Sequence, residues 1–166
     1  MDSCERFHAA CSREKQRIDT SSISSLRVID LHNSCLATVS TRQNQFAALS
    51  YVWGSVPMFV TTKDKLRSLC ASGGLDLYMN EIPSTIRDAM HVVRRLGIQY
   101  LWTDSICIVQ DDKAELDYLI RRMDIIYASA YLTIVAAEGL HANAGLMGTC
   151  SNNLRAMSQA FRYSKD

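Results

Sequence analysis

Three short apolar runs constrain the fold of this chain more than any other feature. They read FAALSYVW at 46–53, IQYLW at 98–102 and YLTIVAA at 131–137. The first and third are apolar at consecutive positions, which is typical of strands covered on both faces. The second is rich in β-branched and aromatic residues. Because helical patterns separate the runs, right-handed βαβ crossovers are expected, and the sequence predicts one open α/β sheet in which these strands are parallel.

The clearest helical pattern lies between the first two runs, in IPSTIRDAMHVVRRLG at 82–97. Pro83 and Ser84 suit a helix start, and Gly97 suits the end. A shorter helix is predicted just before it over 63–70, after Thr61 or Thr62 as cap and before Gly73 and Gly74. The apolar residues of the 82–97 helix recur at spacings of three and four and predict a stripe packed on the sheet: Ile86, Ala89, Met90, Val93 and Leu96.

A long helix is predicted between the second and third runs, beginning at Asp111 or Asp112. Gln110 and these two aspartates suit its cap, where carboxylates also favour the helix dipole. Arg121 and Arg122 are expected on its solvated face. Its buried stripe should comprise Leu116, Leu119, Ile120, Met123, Ile126 and Tyr127.

The two ends of the chain differ from this pattern. Residues 1–25 form a polar, serine-rich leader, and LRVIDL at 26–31 with CLATV at 35–39 predicts two strands at an edge of the sheet. Residues 149–166 form a polar tail that could add one more helix. The folded domain is therefore expected over 26–148.

Composition narrows the functional classes. The chain has 166 residues, 48% hydrophobic, with a net charge of +1 and no basic run, which argues against a nucleic-acid partner. No stretch approaches the ~18 apolar residues of a membrane span, and the N-terminus lacks a secretory pattern. The six cysteines show no C-x-x-C pair, so no metal site is predicted. A reduced, cytoplasmic protein is expected, with a disulfide framework as the alternative.

Polar residues follow each predicted parallel strand and mark a candidate site. The carboxyl ends of parallel strands share one edge, so 53–54, 104–105 and 138–139 should gather there. Asp104 lies in LWTDSICIVQD, and because a buried ionised carboxylate costs several kcal/mol, it is expected at the strand end. Two roles stay open for Asp104: an anchor or acid in a cleft, or an acceptor of backbone N–H groups in the following turn.

Three other features carry similar alternatives. Cys107 could be a nucleophile, but nothing brings His91 or His141 beside it, so a buried packing role is favoured. Trp53 forms either an aromatic wall of the cleft or packing at the strand end. No glycine-rich stretch matches a nucleotide-binding fingerprint.

Four motifs in order resemble the fungal heterokaryon incompatibility (HET) domain: ALSYVWG at 48–54, residues 82–112, MDIIYASAYLTIVAAEG at 123–139 and AGLMG at 144–148. With the lead-in strands, the resemblance covers about 26–148 and implies a TIR-like or flavodoxin-like α/β architecture. The candidate binding cleft comprises Ser105 with the family motif residues Ser50, Tyr51, Trp53, Gly54, Trp102, Asp104, Cys107 and Gln110. Further motif residues are Met123, Tyr127, Ala130, Gly145 and Leu146.

The resemblance implies a signalling module of fungal non-self recognition, which promotes regulated cell death through self-association or protein partners and needs no cofactor. The alternatives are a TIR-like NAD or nucleotide glycohydrolase and an inactive, truncated HET-domain copy. In the enzyme, NAD would be the substrate, Asp104 or Glu138 would position the ribose, and Trp53 would stack on the base. Two departures from the family pattern argue against the hydrolase: Glu115-Leu116 replaces an Asp-Trp pair, and Leu119 replaces a Glu or Gln.

Overall fold

The computed structural model describes residues 22–55 and 57–146. Five strands and five helices follow one another in the described part. In chain order they are β1 (Ser25–Asp30), β2 (Cys35–Ser40), β3 (Phe46–Ser50), α1 (Lys63–Leu69), a 3₁₀ turn (Asp76–Tyr78), α2 (Ser84–Arg95), β4 (Tyr100–Trp102), the one-turn helix α3 (Asp104–Cys107), α4 (Lys113–Ile120), α5 (Met123–Ser129) and β5 (Leu132–Val135).

The strands form one open sheet in the order β2-β1-β4-β3-β5. β3 pairs in parallel with both β4 and β5, as the βαβ pattern predicts. β1 pairs antiparallel with β2 and with β4, so the N-terminal hairpin extends the parallel strands on one side. The predicted α/β class, with an open sheet flanked by helices, is confirmed, and the hairpin makes the sheet mixed.

The two crossovers place helices on both faces of the sheet. The chain moves one way from β3 to β4 and the other way from β4 to β5, and right-handed connections in opposite directions cover opposite faces. α2 turns four of its five predicted stripe residues into the core, while Leu96 lies beyond the helix and is 48% exposed. On the other face, Tyr127 of α5 packs edge-on against Trp102, with ring centroids 5.6 Å apart.

The first apolar run leaves the sheet earlier than its pattern predicts. β3 ends at Ser50, and the following residues to Trp53 continue without a ladder partner of their own. Phe46 to Leu49 are fully buried, as expected for a central strand. Tyr51 and Trp53 instead direct their polar atoms to α3, which sets up the site described below.

The predicted long helix is wrong as a single element, because two short helices occupy its place. The Arg122 N–H donates to Leu119 O three residues back, a tighter turn than an α-helix makes, and φ at Arg122 is −121°. The Arg122 guanidinium lies over the Tyr118 ring, 3.9 Å from its centroid. The break leaves Ile120 51% exposed, whereas Ile126 is buried as predicted.

The third apolar run forms an edge strand that is covered on one face, not on both. Burial alternates along β5, with Thr133 and Val135 exposed and Leu132 and Ile134 partly buried. Because successive side chains of a strand point to opposite faces of the sheet, the alternation indicates that one face of β5 is covered more than the other. Val135 is 64% exposed, a large value for an apolar strand residue.

The predicted leader and tail fall mainly outside the described residues. This is true of residues 1–21 and of 149–166. Ile23, which lies before the expected start at Leu26, is buried in the core. No helix in residues 22–55 and 57–146 has the length and apolar content needed to cross a membrane.

Candidate functional site

The ends of the parallel strands β3 and β4 meet at one edge of the sheet. The Trp53 indole Nε1–H donates to Asp104 Oδ2 at 3.0 Å, and the Ser105 backbone N–H donates to Asp104 Oδ1 at 2.7 Å. Residues 53–54 and 104–105 therefore lie together, as the sequence predicts. Asp104 accepts a backbone N–H of its own turn and also anchors the loop that follows β3.

Burial sets the electrostatics of this carboxyl group. Removal from water raises the pKa of Asp104 above its ordinary value, and the N–H groups of Ser105 and Trp53 partly offset the rise. Trp53 donates to one carboxylate oxygen and the Ser105 N–H to the other. Asp104 thus combines a raised pKa with a fixed orientation.

Two tyrosines surround the carboxyl group. The Tyr51 hydroxyl donates to Ser105 Oγ at 2.8 Å, and the Tyr127 hydroxyl donates to Leu49 O at 3.4 Å. Burial is the first cause that raises the pKa of each tyrosine, and the nearby Asp104 is the second. Both phenols therefore stay protonated at neutral pH and serve as hydrogen-bond groups.

Ser50 and Trp102, which the family pattern assigns to the cleft, both face Tyr127. The Ser50 hydroxyl hydrogen-bonds the phenol and lowers its pKa, against the effect of burial. Trp102 is fully buried against the Tyr127 ring, and its indole N–H has no hydrogen-bond partner among the described residues. The structure therefore places Trp102 in the core behind the strand ends.

Cys107 packs beneath the site. It is fully buried, and burial raises its pKa to about 12. Its sulfur accepts the Thr103 N–H at 3.4 Å. Nucleophilic cysteines carry lowered pKa values and some exposure, so this thiol matches the predicted packing role.

The predicted capping group, residues 110–112, is divided among three tasks. Asp112 caps α4 as predicted, since Oδ1 accepts the Glu115 N–H at 3.2 Å. Asp111 instead accepts the Lys63 N–H at 2.9 Å, at the start of α1. Gln110 donates to Asp104 O at 2.9 Å and closes the α3 turn, so its predicted capping role is wrong.

The loop at 138–146 docks on α2 and on the loop that follows β3 at 51–54, which we call the strand-end loop. Sequence reasoning missed this contact. The Ala142 N–H donates to Trp53 O at 3.1 Å, and Ala142 O accepts the Thr85 N–H at 3.1 Å. Farther along, the Gly145 N–H donates to Thr85 Oγ1 and the Leu146 N–H to Asp88 Oδ2. The available sequence signal was Thr85, a polar residue in the first turn of α2, and the structure buries it.

Gly54 allows the two loops to approach closely. Its φ is +78°, and an added Cβ would lie 2.5 Å from His141 Cβ and 2.9 Å from Leu140 O. Neither the backbone conformation nor the space accepts a side chain at this position. The conformation of Gly54 thus positions His141 beside the site.

Glu138 lies apart from this group, although its strand end was predicted to join it. It is exposed and lines a separate groove with Val92 of α2 and Leu146. Within residues 22–55 and 57–146, no three His, Cys, Asp or Glu side chains are grouped so as to hold a metal ion.

The two docked loops each present a large apolar side chain to solvent. Val52 is 53% exposed between the inward-directed Tyr51 and Trp53, and Leu140 is 88% exposed in the 138–146 loop. We call these two residues the loop-tip pair.

Glu115, at one of the departures from the family pattern, has a structural partner. It pairs with Arg27 of β1 through both carboxylate oxygens and also accepts the Val109 N–H at 3.2 Å. Leu119, at the other departure, packs partly buried against the core. An arginine in the apolar strand LRVIDL was the sequence signal for this ion pair.

Comparison with known proteins agrees with these motifs. A family model described as heterokaryon incompatibility protein (HET) matches residues 46–166. The chain is similar to heterokaryon incompatibility protein 6, OR allele, of Neurospora crassa, with 30% identity over 128 residues. That alignment covers 66% of this chain and 18% of the relative, so the chain spans a small part of the relative's length. No solved structure matches the chain.

Proposed function

Because this chain belongs to the heterokaryon incompatibility (HET) family, we propose that it is a signalling module of fungal non-self recognition. It acts in the cytoplasm, and contact with itself or with a protein partner leads to regulated cell death. The proposal concerns the domain, since the chain spans only 18% of its Neurospora relative.

The observation that carries the proposal is the network between the motif loops. Asp104 holds Trp53 by its indole N–H, and Trp53 O in turn holds Ala142 of the last loop. The network fixes the loop-tip pair, Val52 and Leu140, in exposed positions. Rigid loops that expose apolar groups lower the entropic cost of binding a protein.

Inducible expression in a filamentous fungus tests this function. The full chain should arrest growth, and a Val52→Asp/Leu140→Asp variant should not, because charges at the loop tips oppose apolar contact. Leu77→Asp is the matched control, since Leu77 is 73% exposed on the 3₁₀ turn. It should arrest growth as the wild type does. Healthy growth with the wild type, or arrest with the loop-tip variant at equal protein level, would contradict the proposal.

A second candidate function is NAD or nucleotide hydrolysis. The observation that favours it is a carboxyl group of raised pKa, Asp104, hydrogen-bonded to an indole at the carboxyl edge of the sheet. Nicotinamide release from NAD by the purified chain tests it, and Leu119→Glu restores the polar residue that the family pattern carries. The hydrolase is rejected if neither protein turns over NAD at high protein concentration.

A further inference from the structure

One side of the β5 backbone has no neighbouring strand. β5 pairs with β3, and in the strand order of the described residues nothing lies beyond it. The Ala136 N–H, directly after the strand, donates to Ser50 O of β3 at 2.8 Å. Because backbone groups of alternate residues point to the same side of a strand, those of Ile134 also point to β3, and those of Thr133 and Val135 point away. We call these two residues the open edge.

The open edge is apolar and lacks the features that commonly prevent strand pairing. Edge strands of natural proteins are often protected by lysine, proline or a bulge. Residues 131–137 read YLTIVAA and contain no charged residue and no proline. Val135 is 64% exposed and borders a groove of about 340 Å³, in which Glu138 is the one charged residue among the described lining. A strand added to this edge would therefore cover apolar surface.

The donors and acceptors of the open edge match a second copy of the same edge. Thr133 and Val135 lie two residues apart, and each directs its N–H and C=O outward. When a second β5 is turned antiparallel about a twofold axis at Ile134, each Thr133 faces Val135 of the other copy, and the two exchange both backbone hydrogen bonds. Val135 O already accepts the Ala137 N–H at 3.1 Å, and its second lone pair can accept another. The pairing thus satisfies every outward N–H of the open edge.

The side chains of β5 suit the same register. On one face, Thr133 lies opposite Val135 of the second copy, so two β-branched residues meet and the exposed valine is covered. On the other face, the two copies of Ile134 meet at the axis in a pair without hydrogen bonds, where the side chains approach most closely. Because both the backbone and the side chains are self-complementary, a second copy is favoured over an unrelated strand.

We propose that two copies of this chain pair through their open edges and join their sheets into one continuous antiparallel junction across a twofold axis. The interface is short, so the association lies at the weak end of the range for specific protein contacts. In the cell this dimer supplies the self-contact of the proposed function, and its biological role rests on that proposal. The pairing is measured on purified protein, so its failure is distinguishable from failure of the signalling role in hyphae.

Sedimentation velocity of the full chain tests the pairing. The wild type should pass from monomer to dimer as its concentration rises from about 1 µM to about 500 µM, the range expected for a small interface. Thr133→Lys should weaken the association at least about tenfold, because it sets two like charges ~7–8 Å apart across the axis. Thr38→Lys is the matched control, since Thr38 is the exposed threonine of β2, the other edge strand. It should associate as the wild type does.

Both lysine variants replace exposed residues and should keep Tm within about 1–2 °C of the wild type, which shows that the fold is retained. A wild type that stays monomeric throughout the concentration range, or an unchanged dissociation constant in Thr133→Lys, would overturn the proposal. Loss of association in Thr38→Lys alone would assign the contact to β2 and would also overturn it.

A disulfide at the twofold axis tests the register. Antiparallel pairs without hydrogen bonds have Cα atoms ~4.5 Å apart, a distance that a disulfide can bridge. The background for this test carries serine at every native cysteine except the buried Cys35 and Cys107. Ile134→Cys should form a covalent dimer with oxidised glutathione, whereas Leu77→Cys, at a 73% exposed position on the 3₁₀ turn, should not. Covalent dimer from both variants equally, or from neither, would contradict the pairing.

Discussion

The contact between Asp104 and Trp53 illustrates how a buried carboxyl group can be retained. Burial disfavours its charge and raises its pKa, while two N–H donors favour the charge. The net rise shows that desolvation outweighs the hydrogen bonds. Asp104 therefore positions Trp53 at some cost to stability when it is ionised.

That balance predicts how stability depends on pH. Above about pH 4 an aspartate of the unfolded chain is ionised, whereas folded Asp104 keeps its proton until its raised pKa. The folded state binds more protons in this window, so the contribution of Asp104 to stability falls as pH rises through it. The free energy of unfolding of the wild type, minus that of Asp104→Asn, should therefore decrease as pH rises from 4. Urea unfolding of both proteins at each pH measures the difference.

Asp112→Asn provides the control for this pH series. The hydrogen bond from the Glu115 N–H is the largest cause that lowers the pKa of Asp112, and the hydrogen bond from Lys63 is the second. The contribution of Asp112 to stability is therefore lost only as pH falls through that lowered pKa. Its difference from the wild type should not decrease as pH rises from 4. A constant or rising difference for Asp104→Asn would show that burial does not control its pKa.

Alanine substitutions at Gly54 and Gly97 distinguish the cost of backbone strain from the cost of close packing. Their φ angles are +78° and +74°, but an added Cβ meets the His141 loop only at Gly54. Gly97→Ala should cost about 1–2 kcal/mol of left-handed strain. Gly54→Ala should cost about 1–3 kcal/mol more, because the loop must move. Urea unfolding compares them, and equal losses would mean that the loops are not closely docked.

The residue pattern predicted part of this site. Asp104 at a strand end, its acceptance of a backbone N–H and the packing role of Cys107 all followed from the cost of burying charge and from the absence of a nearby base. The partner of Glu115 did not follow. Arg27 reaches it only because β1 inserts beside β4 in antiparallel register, a long-range choice that local patterns do not encode.

At the scale of elements, the break between α4 and α5 shows how a tight turn and a side-chain contact end a helix. The strands were predictable because their apolar residues are nearly continuous, and α2 was predictable because its apolar residues are evenly spaced between Pro83 and Gly97. The break between α4 and α5 was not, since the apolar spacing continues through Arg121 and Arg122. The tight turn at Leu119 and the contact of Arg122 with Tyr118 make that break.

The bridge from β1 to α4 should stabilise the domain more than a surface pair does. Glu115→Ala leaves the half-buried Arg27 without its carboxylate and the Val109 N–H without its acceptor. A loss of about 1–3 kcal/mol in the free energy of unfolding is expected. Lys63→Ala breaks a pair whose lysine is 60% exposed and should cost about 0–1 kcal/mol. Chemical denaturation checks both, and equal losses would contradict the bridging role.

At the scale of the whole molecule, distant motifs build one assembly. The strand-end loop, α3 and the loop at 138–146 are far apart in sequence, yet hydrogen bonds from Asp104 through Trp53 to Ala142 connect them. Parallel pairing of β3 and β4 predicted the first contact. The second depends on how the last loop returns to α2, which no periodic pattern specifies.

Cell death in fused hyphae tests the central claim most directly. Strains that express the wild-type chain, the Val52→Asp/Leu140→Asp variant or the Leu77→Asp control are fused with an unlike strain, and dye-permeable fusion compartments are counted. We expect death with the wild type and the control, and survival with the loop-tip variant at equal levels of folded protein. Equal death with the loop-tip variant, or survival with the wild type, would contradict the account.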